Sequence, residues 1–175
     1  MTALTHNDIR DIIQIIPDFP KEGIIFRDIT PLLQDKKKFR YCIDHFVSQV
    51  KGPIDYVVSI ESRGFIFGSA LAYALGAGFV PIRKQGKLPR EKYSESYDLE
   101  YGQAVIEMHQ DALKKGSRII IVDDVLATGG TVEAAVNLVK KFDTEICGMY
   151  FLIELMALKG RDRVKEYALH SLVSY

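Results

Sequence analysis

Hydrophobic positions along the chain change period several times, and the changes divide it into elements. Near the start, Ile9, Ile12, Ile13 and Ile16 recur at helical spacing behind Thr5, whose hydroxyl can cap a first helix. Pro17-Asp-Phe-Pro20 ends that helix. Ile24-Ile-Phe26 reads as a short extended stretch and Asp28-Ile-Thr-Pro31 as a turn. Asp35 caps a second helix, which turns Phe39, Cys42, Ile43, Phe46, Val47 and Val50 inward until Gly52-Pro53 stops it.

A different rhythm follows. Tyr56–Ile60 is a strand, and Phe65–Leu75 is apolar on all sides, as a fully buried helix is. Gly76-Ala-Gly78 breaks it before a second strand, Phe79–Ile82. The uncharged run Gly64–Ile82 is long enough for a short membrane span, but its glycines, Ser69, Tyr73 and Pro81 favour the buried helix and strand. Residues 83–102 carry little apolar content and predict a polar loop, with 84–102 as a mobile lid; loops of this length in compact domains are uncommon and often act as lids. Gln103–His109 alternates weakly, as a half-exposed strand does. Arg118–Val122 is a strand with four consecutive β-branched residues, Val132–Phe142 a helix, and Ile146–Leu155 an apolar strand. Strands alternating with helices imply an α/β fold: a central, mainly parallel twisted sheet flanked by helices, with a small hood from residues 1–34.

Length and composition narrow the function. A chain of 175 residues suits one domain with its own core. Lys plus Arg and Asp plus Glu each number 23, so the net charge is zero, which speaks against nucleic-acid binding by bulk phosphate attraction. Cys42 and Cys147 read as small buried hydrophobes, and the four histidines lack ligand spacing, so no protein-held metal is expected. The N-terminal residues lack the blocks of a signal peptide, and no membrane partner is expected; the expected location is cytoplasmic.

The chemistry concentrates in Ile119-Ile-Ile-Val-Asp-Asp-Val-Leu-Ala-Thr-Gly-Gly-Thr131. A buried strand ends in Asp123 and Asp124, where open α/β sheets bind ligands. Ala127, Thr128, Gly129, Gly130 and Thr131 then lead into a helix N-terminus, where free N–H groups and the helix dipole favour a phosphate. Ionised carboxylates accept hydrogen bonds only, so the pair suits two sugar hydroxyls, and its charge favours a cationic sugar carbon as a leaving group departs. The loop pattern matches neither G-x-x-x-x-G-K-[ST] nor G-x-G-x-x-G, which speaks against a nucleotide triphosphatase or a dinucleotide enzyme.

Val122–Thr131 resembles the phosphoribosyl pyrophosphate signature of the type I phosphoribosyltransferases. The chain is similar, more narrowly, to the adenine phosphoribosyltransferase family through Pro17-Asp-Phe-Pro20, Gly23-Ile-Ile-Phe-Arg-Asp28, Glu61-Ser-Arg-Gly-Phe65, Ile82-Arg-Lys-Gln-Gly-Lys-Leu-Pro89, Tyr97-Asp-Leu-Glu-Tyr-Gly102, Glu154-Leu155 and Leu158-Lys-Gly160. These stretches keep the family's order from residue 17 to residue 160. The resemblance implies transfer of a phosphoribosyl group from phosphoribosyl pyrophosphate to adenine, giving AMP and pyrophosphate in purine salvage. It implies that Ala127–Thr131 hold the 5-phosphate and that Asp123 and Asp124 face the ribose. Glu61-Ser62 is the turn near the pyrophosphate, often with a cis peptide in the family, and Arg63 lies near base and donor. Arg83, Lys84 and Lys87 match the pyrophosphate loop, part of which reaches the other subunit's site in a homodimer. Mg²⁺ arrives with the donor, held by pyrophosphate and sugar oxygens and by waters. Ile25 and Arg27 correspond to positions whose backbone reads the adenine edge, Phe26 to a stacking ring, and Val125 and Leu155 to the rest of the base pocket. Glu100 corresponds to the family's proposed acid/base and Tyr101 to a lid residue; hypoxanthine-type relatives place an acid at the position of Ala127.

Two other readings stay open: the same transfer to a 6-oxo purine, against which Ala127 and the Phe26-Arg27 hood speak, and a non-catalytic sensor of the donor. Taken alone, Ile25 and Phe26 are ordinary core residues, Glu100 a solvated loop acid and Asp123-Asp124 a turn cap. Glu154, inside an apolar strand, needs a partner; Arg63 or a backbone amide is expected.

Overall fold

Four consecutive apolar residues, Ile119 to Val122, are buried on both sides, and the architecture follows from what covers each side. A computed structural model describes residues 4–98 and 103–175. Its main sheet has seven strands: β3 (Tyr56–Ile60), β4 (Gly78–Lys84), β5 (Lys92–Asp98), β6 (Gln103–His109), β7 (Arg118–Leu126), β8 (Glu145–Glu154) and β9 (Leu169–Ser174). Their order is β5-β6-β4-β3-β7-β8-β9. Strands β4, β3, β7, β8 and β9 pair in parallel, while β6 runs antiparallel to β4 and β5.

Side-chain alternation along β7 assigns the two cores. Ile119 and Ile121 pack with α5 (Gly130–Lys140) and the β5–β6 hairpin, while Ile120 and Val122 pack with α3 (Lys36–Gln49) and α4 (Gly64–Leu75). Two covered faces explain why β3, β7 and β8 read as continuous apolar runs rather than alternating ones. The uncharged stretch after Arg63 is α4 followed by β4, as its pattern implies. Among the described residues no helix is long and apolar enough to cross a membrane.

The N-terminal region departs from the predicted pattern. Helix α1 covers His6–Ile12, capped reciprocally by Thr5 and Asp8, but it stops before Ile16. Gln14–Ile16 instead forms β1, antiparallel to β2 (Phe26–Asp28), with Ile16 opposite Phe26. β-Branched isoleucines propagate a helix weakly, and a strand partner is at hand. The expected turn at 28–31 continues into a short helix, α2 (Thr30–Gln34), because Pro31 is well tolerated in a first helical turn.

The expected loop of residues 83–102 is also partly sheet: β4 continues through Arg83 and Lys84, and Lys92–Asp98 forms β5. Tyr93 and Tyr97 on β5 pack against the core, and Glu95 between them pairs with Lys141 at 2.7 Å. Two aromatic rings and a paired glutamate on one face, with Ser94, Ser96 and Asp98 on the other, thus build an edge strand from a segment poor in aliphatic residues. Strand β9 and the turn Gly160–Val164 complete the C-terminal edge.

Candidate active site

The site grows from the carboxyl ends of β3 and β7. These neighbouring strands keep register up to Ser59 opposite Val122, so the loops beyond them start side by side. Strand β7 runs four residues further than its β-branched run suggests, which places Asp123 and Asp124 inside the strand and next to the loop after β3. Gly64 is required where α4 meets them: a Cβ there would lie 2.6 Å from Asp123 Oδ1 and 3.1 Å from its Cα.

Asp124 is buried, and Arg63 Nε lies 2.6 Å from its Oδ2. That contact is electrostatic rather than a directed hydrogen bond, since Oδ2 has no hydrogen-bond donor. Asp123 Oδ1 accepts a 2.9 Å bond from the Asp124 amide. Burial raises both carboxyl pKa values; the Asp124 charge raises that of Asp123 further, and Arg63 opposes the rise at Asp124. The pair is therefore held in a conformation that disfavours its own charge, and hydroxyl donors would relieve it.

Asp123, Val125, Leu126, Ala127, Thr128, Gly129, Thr131, Val132 and Phe151 line one cavity. Gly129 adopts φ +84° as the residue before α5, so the loop curls over the helix N-terminus with its amides free. The loop is backed by Gly160: a Cβ on Gly129 would stand 2.5 Å from the Gly160 carbonyl oxygen. The end of β5 reaches the same place, with Asp98 O 3.5 Å from a Cβ built on Gly130.

On the other flank, Glu61 ties the β3 loop to β4. Its carboxylate accepts from Arg83 Nε at 3.1 Å, Arg83 Nη2 at 3.3 Å and the Lys84 amide at 3.0 Å. The Arg83 hydrogen bonds hold the Glu61 pKa below the usual carboxylate range. The Arg83 guanidinium also reaches the Lys87 carbonyl at 3.5 Å, and buried Glu107 accepts from the Gly86 amide at 2.9 Å. Arg83, Lys84 and Lys87 thus share one braced turn. The Glu61–Ser62 bond is cis.

The residues expected on the base side divide between two places. Ile25, Arg27 and Leu155 share a cavity of about 370 Å³ with Gly23, Ile24, Ala157, Leu158 and Tyr175. Val125 lines the cavity of the 127–131 loop instead. Phe26 lines neither cavity; Arg63 lies over its ring at 4.9 Å and Phe19 meets it edge-on at 5.2 Å. Ile25 is 55% exposed, which does not suit a core residue. Arg27 stacks on Tyr175 at 4.1 Å, and its Nε and Nη1 are buried without hydrogen-bond partners. Glu100 and Tyr101 lie outside the described residues.

Glu154 is buried, as its strand implies, but its partner is not Arg63. Arg161 grips it with Nε at 2.9 Å and Nη2 at 2.6 Å, and Ser171 Oγ donates at 2.7 Å. The Arg161 bonds lower its pKa. Arg63 is already committed to Asp124, while Arg161 follows seven residues on through a tight turn that periodicity does not reveal. Gly64 and Gly160 are further residues whose roles the sequence left undefined, although each falls in a stretch that carries the resemblance; Glu61, expected only as part of a turn, also braces Arg83 and Lys84.

Comparison with known proteins agrees with this geometry. Residues 33–173 match the model of the phosphoribosyl transferase domain. The adenine phosphoribosyltransferase of Nostoc punctiforme is 53% identical over 171 residues, covering 96% of this chain and 99% of that protein. That of Clostridium tetani is 51% identical over 169 residues, covering 96% and 98%. Among solved structures, adenine phosphoribosyltransferase from Thermoanaerobacter pseudethanolicus superposes with TM-score 0.94 at 47% identity, covering 98% of this chain and 100% of that one. The Saccharomyces cerevisiae enzyme, solved with an imino-altritol bisphosphate and adenine, gives 0.90 at 40% identity, covering 96% and 98%. The chain belongs to the phosphoribosyltransferase family and, within it, to the adenine phosphoribosyltransferases.

Proposed function

We propose that the chain transfers the 5-phosphoribosyl group of phosphoribosyl pyrophosphate to adenine, giving AMP and pyrophosphate. The observation that carries this reading is the junction of an acid pair, buried Asp124 and half-buried Asp123, with a small loop cavity at a helix N-terminus, linked through Arg63 to the Phe26 ring. In the reaction the bond from sugar C1 to the pyrophosphate oxygen breaks, the bond from C1 to adenine N9 forms, and N9 gives up its proton. Ala127–Thr131 hold the 5-phosphate through amides and hydroxyls, each charge-assisted bond contributing about 1.5–3 kcal/mol. Asp123 and Asp124 accept the ribose hydroxyls and favour the cationic sugar carbon. Arg83, Lys84 and Lys87 take the pyrophosphate, and the donor enters as its Mg²⁺ complex, the ion keeping several waters. The hard oxygens of Asp123 at the cavity wall suit such a complex.

The hood reads the base. Ile25 and Arg27 present backbone groups to the donor–acceptor edge of adenine, Phe26 stacks, and Val125 and Leu155 complete the pocket. A 6-oxo purine reverses that edge and leaves buried groups unpaired, a large penalty. Glu100 serves as acid/base toward N9, with Tyr101 beside it in a closing lid. We further propose a cytoplasmic homodimer. The exposed apolar residues Ile66, Tyr73 and Phe79 on α4 and β4 suit a self-complementary face.

An assay with phosphoribosyl pyrophosphate, Mg²⁺ and each purine base in turn, following pyrophosphate, tests the reading. AMP from adenine alone is expected, with turnover lowered about 10²–10⁴-fold in Glu100→Ala. Turnover of a 6-oxo purine would overturn the hood assignment, and donor binding without turnover of any base would make the protein a sensor.

A further inference from the structure

The contacts proposed for donor and base leave one buried carboxylate unused. Glu154 is the last residue of β8 and is 3% exposed. Besides the Arg161 fork and Ser171 on β9, the same guanidinium donates from Nη1 to the Leu169 carbonyl at 3.1 Å. One carboxylate therefore gathers the end of β8, strand β9 and the turn Gly160–Val164 around a single point.

That point lies between the two halves of the site. On one side the turn begins at Gly160, which is pressed against the phosphate loop. A Cβ on it would come 2.2 Å from the Ala127 carbonyl oxygen and 2.8 Å from the Gly129 amide nitrogen. Glu154 is also paired in register with Leu126, the residue before the loop, and the Leu155 amide donates to the Leu126 carbonyl at 2.9 Å. On the other side, Leu155 and Leu158 border the cavity that holds Ile25 and Arg27.

We propose that Glu154 and Arg161 form a positioning clasp that sets the phosphate loop through Gly160 and so controls how tightly the 5-phosphate is held, without touching substrate. The inference rests on the reading of Ala127–Thr131 as the phosphate loop. Glu154 is buried but the Arg161 side chain is 44% exposed, and an ion pair open to solvent on one side is a poor route to stability alone. A bidentate fork does fix direction and distance, which apolar packing does not. A turn whose first residue stands at van der Waals contact with the loop backbone needs that definition, because a shift of about 1 Å can cost on the order of 10²-fold.

The test uses the full chain. Ribose 5-phosphate binding by calorimetry is measured beside KM for donor and adenine, kcat and the thermal midpoint, in the parent, Glu154→Gln and Arg161→Lys. Glu154→Gln keeps the shape and an acceptor but loses the charge; Arg161→Lys keeps the charge but loses the fork. Both are expected to weaken ribose 5-phosphate binding and raise KM for the donor by about tenfold, with a smaller change in kcat. Lowered thermal midpoints with unchanged ribose 5-phosphate affinity and donor KM would overturn the clasp, leaving a stability device. Should Glu154→Gln fail to fold, Ser171→Ala, which removes one donor and spares the ion pair, is judged with Arg161→Lys by the same readouts. A parent that binds no ribose 5-phosphate sinks the phosphate-loop assignment and the clasp with it. A parent that binds it beside folded variants of unchanged affinity sinks the clasp alone.

Discussion

Replacing Gly129 by alanine separates a conformational cost from a contact cost. Gly129 holds φ +84°, where an L-residue costs about 1–2 kcal/mol. Its new Cβ would also stand 2.5 Å from Gly160 O and 3.0 Å from Gly160 Cα, backbone atoms that no rotamer change can move. Overpacking of that kind adds about 1–3 kcal/mol. Reduced freedom of the unfolded chain returns about 0.4–1 kcal/mol. The net loss is about 1–5 kcal/mol, which lowers the melting midpoint of a domain this size by roughly 2–20 °C. Gly116→Ala is the control: its φ is +77°, nothing lies within 4 Å of its Cβ, and it precedes β7 at the opposite end of the strand. The two variants share the conformational term, so their difference isolates the contact with Gly160. Relief of that contact must shift the loop or the Gly160 turn that backs it; on the proposed reading, loss of one charge-assisted bond to the 5-phosphate corresponds to about 10–100-fold weaker donor binding. Thermal melts and donor KM decide the matter. Equal midpoints for the two variants, or a normal donor KM in Gly129→Ala, would refute the packing of Gly160 on the loop.

Asp124→Asn is expected to fold and to lower kcat by about 10²–10³-fold, the effect of removing one preorganised electrostatic group; circular dichroism and the pyrophosphate assay check both halves. Its stability should also respond to pH in a defined sense. Both carboxyl pKa values are raised from 3.8 by burial, so their stabilising contribution is complete at low pH and is lost as pH rises above that value. Ligand-free Asp124→Asn should therefore lose less stability than the parent between acid and neutral pH in denaturant titrations. The two cysteines are free, and burial pushes the Cys42 thiol up to about 12. A thiol reagent near neutral pH should label half-buried Cys147 in the native protein and Cys42 only after unfolding; labelling of native Cys42 would contradict the packing under α3.

Legibility followed burial. β3, α4 and β7 were readable because both faces of the sheet are covered and their residues are apolar throughout. The acid pair and the loop after it were readable because strand, carboxylates, glycines and helix are contiguous in sequence. Strand β5 was not: its side chains are Lys92, Tyr93, Ser94, Glu95, Ser96, Tyr97 and Asp98, and only pairing with β6 makes the alternation meaningful. The end of α1 was lost for a similar reason, since the isoleucines at 12, 13 and 16 fit a helical face until a partner strand ten or more residues away is known. The partner of Glu154 was hidden because the turn after Leu158 has no period at all. Long-range pairing and irregular turns are what a linear pattern carries least.

The topology explains why opposite electrostatic demands sit within a few residues. From β3 the chain crosses through α4 to β4 on one side, and β7 returns on the other side of β3, so the sheet order reverses between β3 and β7. Helices α4 and α5, which follow those strands, cover opposite faces and leave a crevice at their shared end. Asp123 lines it with Asp124 buried alongside, and carboxylates there repel anions; its wall, from Thr128 into α5, offers amides that attract them. On the proposed reading this polarity orients the donor before any base arrives. A phosphate turned toward the acid pair meets like charge at low dielectric, and hydroxyls turned toward the helix N-terminus leave the carboxylates without donors. Only the pose with phosphate on the loop and hydroxyls on the acids satisfies both, and that pose directs the sugar carbon toward Arg63 and Phe26, where the base is expected.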